Sequence, residues 1–210
     1  MSTQFFAQVK LETSSEKGSY GIGLQIGQQL LDTGFAVSAE AVAKGIYDVL
    51  NQNPPALDLN EVSSALQQLQ QEAQQAQAAQ FKQIEEDGKA FWAENAQKDG
   101  VNVTETGLQY EILAEGNGKI PTRQDTVRVH YSGTLIDGTL FDSSVKRGQP
   151  AEFPVNGVIA GWTEALAMMP VGSKWRLTIP HFLAYGERGA GASIPPFSTL
   201  VFEVELLDIL

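Results

Sequence analysis

Phe141-Asp142-Ser143-Ser144, then Val158-Ile159-Ala160-Gly161-Trp162, then Ala184-Tyr185-Gly186 running on to Ile194-Pro195-Pro196: these three segments decide how the chain reads. Each sets aromatic or branched apolar residues beside loop-forming Gly and Pro, the composition of a concave site that is greasy without being closed. The segments on either side alternate with a period of two. Leu108, Tyr110 and Ile112 alternate, as do Val127, Val129 and Tyr131, then Trp175, Leu177 and Ile179, and finally Leu200, Phe202, Val204 and Leu206. That pattern predicts strands with one buried face. Asp137-Gly138 is a hairpin signal, and Gly161 to Met169 predicts one short helix carrying Trp162, Ala165 and Met169 inward before Pro170 and Gly172 end it. One helix against an antiparallel sheet is an α+β layer pair.

Working outward, the N-terminal half has a different period. Thr13 and Glu16 have capping-box spacing, and Tyr20, Leu24, Gly27 and Leu31 follow as the apolar seam of a helix stopped by Gly34. Gly18, Gly21, Gly23 and Gly27 each cost that helix roughly 1 kcal/mol relative to Ala, and close approach by another helix is the natural compensation. Ser38 caps a second helix with Val42, Ile46, Val49 and Leu50 as its stripe, ending near Asn53-Pro54-Pro55. Two such helices bury too little to stand alone, so residues 1–57 are expected to pair with a second copy as a homodimer. Asp58 and Glu61 start a third helix over 58–100, about 60 Å long at 1.5 Å per residue. Its middle, Gln70 to Gln83, is mostly Gln and Ala, so it reads as a solvent-exposed spacer, with Phe81, Ile84, Phe91 and Trp92 as apolar anchors beyond it. Residues 101–106 read as a linker and 107–210 as the second domain.

Composition narrows the chemistry. With 210 residues and 42% hydrophobic content there is material for a true core, while a net charge of -11 opposes binding to nucleic acid or anionic membrane surfaces. No Cys is present, and His130 and His181 are the two imidazoles, both placed off the greasy face, so thiolate chemistry is excluded and no metal or other cofactor is expected. No run has membrane-spanning length, and the opening Met1 to Phe6 lacks the blocks of a secretion signal, which gives a cytoplasmic expectation.

Residues 107–210 resemble the FKBP family of peptidyl-prolyl cis/trans isomerases at several motifs in the same order. The resemblance implies a five- or six-stranded antiparallel sheet curled around one short helix, and a pocket for a prolyl ring floored by Trp162. It assigns Tyr131, Phe141, Asp142, Ile159, Trp162, Tyr185 and Phe202 as catalytic, with Arg147, Val158 and Ile194 binding substrate. The Ile159 N–H and the Tyr185 hydroxyl would hold substrate carbonyls. Asp142 would lie in a polar network with Tyr131 and Arg147, acting on the twisted carbonyl or bracing the wall. Ala151, Ala190 and Ser193 stand where many members carry Phe, His and Ile, implying a more open rim, an altered preference for the residue before proline and weaker macrolide binding. Ser19-Tyr20-Gly21-Ile22-Gly23 and the long helix are similar to the dimerising arm of the bacterial subfamily that includes the macrophage infectivity potentiator proteins. This implies a V-shaped dimer holding proline-containing unfolded or folding proteins, with macrolides such as rapamycin as inhibitors. The competing class is a non-catalytic protein-binding chaperone dimer.

Overall fold

The structure is a computed structural model describing residues 9–210; the first eight residues of the segment 1–57, with the opening read for a signal, lie outside the described residues. The chain divides into two compact units, Met1–Ala79 and Gln80–Leu210. The first contains helices α1 (Ser14–Asp32) and α2 (Ala39–Leu50) and the beginning of α3 (Leu59–Asn95). The capping box of α1 is made in full, the Glu16 N–H donating to Thr13 Oγ1 at 3.2 Å and the Thr13 N–H to Glu16 Oε2 at 2.8 Å. The Ser38 hydroxyl accepts from the Ala41 N–H at the start of α2. Yet no residue of α1 is buried, and Leu31 is 75% exposed. A Cβ built on Gly18, Gly21, Gly23 or Gly27 would meet nothing within 4 Å, so no other backbone among the described residues approaches that face.

The second unit is built on seven strands among the described residues, β1 (Val101–Val103), β2 (Gln109–Ala114), β3 (Thr126–Leu135), β4 (Leu140–Ser143), β5 (Ala151–Pro154), β6 (Lys174–Ile179) and β7 (Leu200–Ile209). They pair antiparallel in the order β1-β2-β6-β7-β3-β4, with β5 also on β3. The one-turn helix α4 (Ser144–Arg147) follows β4, and α5 (Ala160–Leu166) crosses the concave face. The fold is α+β. Along β3 and β7 the inward residues Val127, Val129, Leu200, Val204 and Leu206 are fully buried, and Trp162, Ala165 and Leu166 of α5 pack on them. Helix and sheet meet closely at Gly161, where a Cβ would lie 2.6 Å from Ile179 Cγ2. The observed helix stops at Leu166, earlier than the sequence reading. Beyond it the Met168 and Met169 amides turn back to Ala165 O and Leu166 O.

Three further differences have simple causes. Residues 101–106 hold an edge strand as well as a connection, because Gly107 at φ +95° reverses the chain so that Val101–Val103 pairs with β2; this takes the sheet beyond five or six strands. Helix α3 ends at Asn95, five residues before the predicted end; the following amides tighten onto Glu94 O and Asn95 O, and Gly100 at φ +83° turns the chain into β1. The polar residues Gln109 and Thr178 are buried against the period of two, because the last turns of α3 cover the second face of the sheet there. Asn95 Nδ2 donates to Gln109 Oε1 and Thr178 Oγ1, Gln109 Nε2 donates to Trp92 O, and Trp92 Nε1 donates to Gly107 O. Each buried polar group of this cluster has a partner, as it must to avoid a desolvation cost.

Candidate functional site

On the concave side of the second unit lies an open cavity of about 640 Å³. Its floor is Trp162 at the first turn of α5, 4% exposed, and four aromatic rings enclose it. Tyr131, Phe153 and Phe202 meet the indole edge to face at 5.2, 5.8 and 5.3 Å, and Phe141 meets Phe202 at 5.5 Å. This is the favoured geometry for aromatic quadrupoles, so the rings brace one another as a rigid box. The wall is thin at Gly133. A Cβ there would lie 2.5 Å from Phe202 and 2.6 Å from Phe141, so only glycine lets both rings reach the cavity. Val158 and Ile159 close one side, and the long β6–β7 connection brings Tyr185, Ala190, Ser193 and Ile194 to the rim. The Trp162 indole N–H is buried with no acceptor among the described residues.

One polar cluster stands at the edge. The Tyr131 hydroxyl donates to Asp142 Oδ2, Arg147 Nη1 pairs with Asp142 Oδ1, and Arg147 Nη2 donates to the Tyr131 hydroxyl at 3.0 Å. Burial pushes the Asp142 carboxyl up, but hydrogen bonds from Tyr131 and Arg147 outweigh it and hold the group below the usual carboxylate range. Burial, and then the bond to Asp142, raise the Tyr131 phenol. The local chain explains the placement. Ser143 caps α4 by accepting from the Lys146 N–H, Gly148 at φ +72° ends it, and this single turn swings Arg147 back over Asp142. Ser144 locks the turn to β3, its hydroxyl accepting from the Tyr131 N–H at 2.8 Å.

Of the residues singled out from sequence, Tyr131, Phe141, Asp142, Val158, Ile159, Trp162, Tyr185, Ile194 and Phe202 line the cavity. Arg147 does not; it touches the site through Asp142 and Tyr131. Ala151 is also absent from the lining, its methyl packing on the core, whereas Phe153 on the same face of β5 does line it. Ala190 and Ser193 line the cavity at its rim. Phe153 and the stitching serines were missed. The alternation Ala151-Glu152-Phe153 was the available signal for the first, whereas nothing in the residue types announces the second.

A curled antiparallel sheet holding a largely aromatic cavity over one short helix defines a domain of the prolyl isomerase kind. Residues 118–207 match the family described as FKBP-type peptidyl-prolyl cis-trans isomerase, and residues 15–112 match the domain amino terminal to it. The chain is 58% identical over 200 residues to the FKBP-type 22 kDa peptidyl-prolyl cis-trans isomerase of Escherichia coli, covering 95% of this chain and 97% of that one. It is 40% identical over 203 residues to the outer membrane protein MIP of Legionella longbeachae, covering 95% and 87% respectively. The crystal structure of FkpA from Escherichia coli superposes with a TM-score of 0.76 at 36% identity, over 95% of this chain and 98% of that one. The chain belongs to the FKBP-type peptidyl-prolyl cis-trans isomerase family, and its activity is the cis/trans isomerisation of Xaa-Pro bonds. The cytoplasmic expectation is overturned by the same comparison, since a relative matched over nearly the whole chain is named an outer membrane protein.

Proposed function

We propose that the prolyl ring of a substrate enters the cavity over Trp162 and that its amide twists there without covalent chemistry. The observation that carries this is the aromatic box, in which three rings meet the Trp162 edge and leave an apolar space open at one side. The amide barrier of roughly 18–20 kcal/mol comes from resonance, and the twisted state loses that resonance with most of its charge separation. A dry apolar wall therefore favours the twisted state over either planar one. About 1.4 kcal/mol of such preference gives each tenfold in rate. The Ile159 N–H donates to no group among the described residues and stands ready for a substrate carbonyl. The Tyr185 hydroxyl, on a side chain 41% exposed at the rim, takes the other. Asp142 braces the wall, with Tyr131 bonded to one of its oxygens and Arg147 to the other.

This assignment has a pH signature. Asp142 has its folded pKa lowered, so what its network contributes is fully present above the ordinary carboxylate value of about 4 and is lost as pH falls through the lower folded value. Tyr131 has its pKa raised, so its neutral donor persists beyond the ordinary value of about 10. Turnover of a short Xaa-Pro peptide is expected to stay flat, within about twofold, from roughly pH 5 to 9. A bell centred near neutrality would assign the chemistry to a titrating acid and base instead.

The N-terminal unit is read as a pairing surface for a second copy of the chain. Leu24, Ile26, Leu30 and Leu31 of α1 and Val42 and Ile46 of α2 line a groove of about 590 Å³, flanked by the uncovered glycine face of α1. Exposed leucines and Gly-permitted close approach within one chain are what an interlocking second helix pair would cover. Two catalytic domains on one dimer would raise the concentration of prolines in a held unfolded protein around each site. Rapamycin-type macrolides are expected to compete for the cavity. Sedimentation should find the full chain dimeric at micromolar concentration and Gly27→Leu shifted to monomer; a monomeric full chain would refute the pairing.

A further inference from the structure

The β6–β7 connection that supplies Tyr185, Ala190, Ser193 and Ile194 to the cavity contains a strained residue. Phe197 has φ +64°, left-handed backbone that a bulky side chain adopts only when its surroundings hold it there. Several contacts hold it there. Its N–H donates to Gly186 O at 2.9 Å, directly after Tyr185, and Pro195 and Pro196 join it to Ile194. The Ser198 hydroxyl donates to Pro195 O at 2.7 Å, and Ala190 and Ile194 exchange backbone hydrogen bonds at the tip. Its ring meets His181 at 5.4 Å on one side and Phe81 of α3 at 6.4 Å on the other. Two turns further along α3, Gly88 is buried against Thr199, so closely that a Cβ would lie 2.6 Å from Thr199 Oγ1. Both contacts lie within the second unit, whose first residue is Gln80. The last turns of α3 are therefore the outer support of the loop that forms the rim.

We infer that Phe81, acting through Phe197, and Gly88, acting through Thr199, are positioning residues for the cavity rim, setting where Tyr185 and Ile194 stand. The inference rests on the cavity being the proline site and adds to it a part of the helix that touches no substrate. A side chain that locks the strained Phe197 fixes the Gly186 carbonyl and with it the Tyr185 backbone; without that lock the rim has a second, relaxed arrangement available. Because substrate carbonyls are held at the rim while the ring sits on the floor, loosening the rim weakens substrate capture more than it slows the twist.

The test uses the full chain carrying Phe81→Ala, Phe81→Tyr or Gly88→Ala. Ala at either position keeps or improves helix propensity, so the helix itself is retained. Phe81→Ala is expected to lower kcat/KM on a short Xaa-Pro peptide three- to tenfold, mainly through KM, and to speed hydrogen exchange at the amides of Phe197 and Ile194 at least tenfold. Phe81→Tyr restores both, and Gly88→Ala, which displaces Thr199, moves both in the direction of Phe81→Ala. Unchanged KM and unchanged exchange at these amides in Phe81→Ala would overturn the inference, as would a uniform rise in exchange across the whole sheet, which would mean simple destabilisation. No turnover in the unsubstituted chain would overturn the proline-site reading instead, and the exchange results alone would then decide whether α3 holds the loop.

Discussion

Trp162→Ala is expected to remove nearly all isomerase activity, about a hundredfold or more on a short Xaa-Pro peptide, while the chain still folds. The indole is 4% exposed and is the ring on which Tyr131, Phe153 and Phe202 converge edge to face. Its loss leaves a void beneath the substrate and costs about 3–5 kcal/mol of stability, as large-to-small core changes of this size do. A hundredfold in rate corresponds to about 2.7 kcal/mol of lost preference for the twisted amide, which is within reach of one aromatic face. Trp162→Phe keeps a ring at the floor and should lose far less. Urea unfolding separates the two effects: a variant that unfolds cooperatively yet turns over within threefold of the parent would remove Trp162 from the site.

The second large effect is expected from one methyl group. In Gly133→Ala the new Cβ would stand 2.5 Å from Phe202 and 2.6 Å from Phe141, closer than atoms in real structures come. Both rings must swing, and Phe202 cannot move without leaving its contact with Trp162. Overpacking of this kind costs about 1–3 kcal/mol of stability. The cavity suffers more than the fold, because the displaced rings are its walls; kcat/KM is expected to fall more than tenfold, with rapamycin binding weakened in parallel. An alanine variant with parental kinetics would mean that the rings are free to shift and that the box is not rigid.

Much of this was legible in the sequence, and the residues show why. Wherever one face of a strand alone is buried, the period of two reports it: Val127, Val129 and Tyr131 on β3 and Leu200, Phe202, Val204 and Leu206 on β7 are all inward as the pattern implied. The reading failed where a second layer intervened. Gln109 and Thr178 are polar yet buried because the end of α3 lies on the other side of the sheet, and a pattern that assumes one wet face has no means of showing this. Short elements made by turn chemistry were also missed, β1 through Gly107 and α4 through Ser143 and Gly148, since three or four residues display no period. The seam of α1 is the opposite case: Tyr20, Leu24 and Leu31 have the spacing of a buried face, and in a single chain they remain exposed. Periodicity registers an apolar face without identifying what covers it, and the second copy proposed above is one answer.

The cavity residues came together for a similar reason. Tyr131, Phe141, Trp162 and Phe202 are large and apolar at strand or helix positions that face inward, so burial and site membership coincide. The Arg147 fork depended on the turn after Asp142, which brings side chains five positions apart into contact. Phe81 was legible as an apolar anchor of the long helix, but not its partner Phe197 nor the close approach of Gly88 to Thr199, which depend on a positive φ angle and on how the helix lies against the loop.

The catalysis proposed above is rotation about the Xaa-Pro bond within the aromatic cavity itself. It is tested most directly by NMR exchange between the cis and trans signals of a short Xaa-Pro peptide, with catalytic amounts of the full chain and with and without rapamycin. Exchange far faster than the peptide alone, and returned to the uncatalysed rate by one equivalent of rapamycin per chain, is the predicted result. Uncatalysed exchange in the presence of folded chain would contradict it and leave a protein that binds proline segments without turning them.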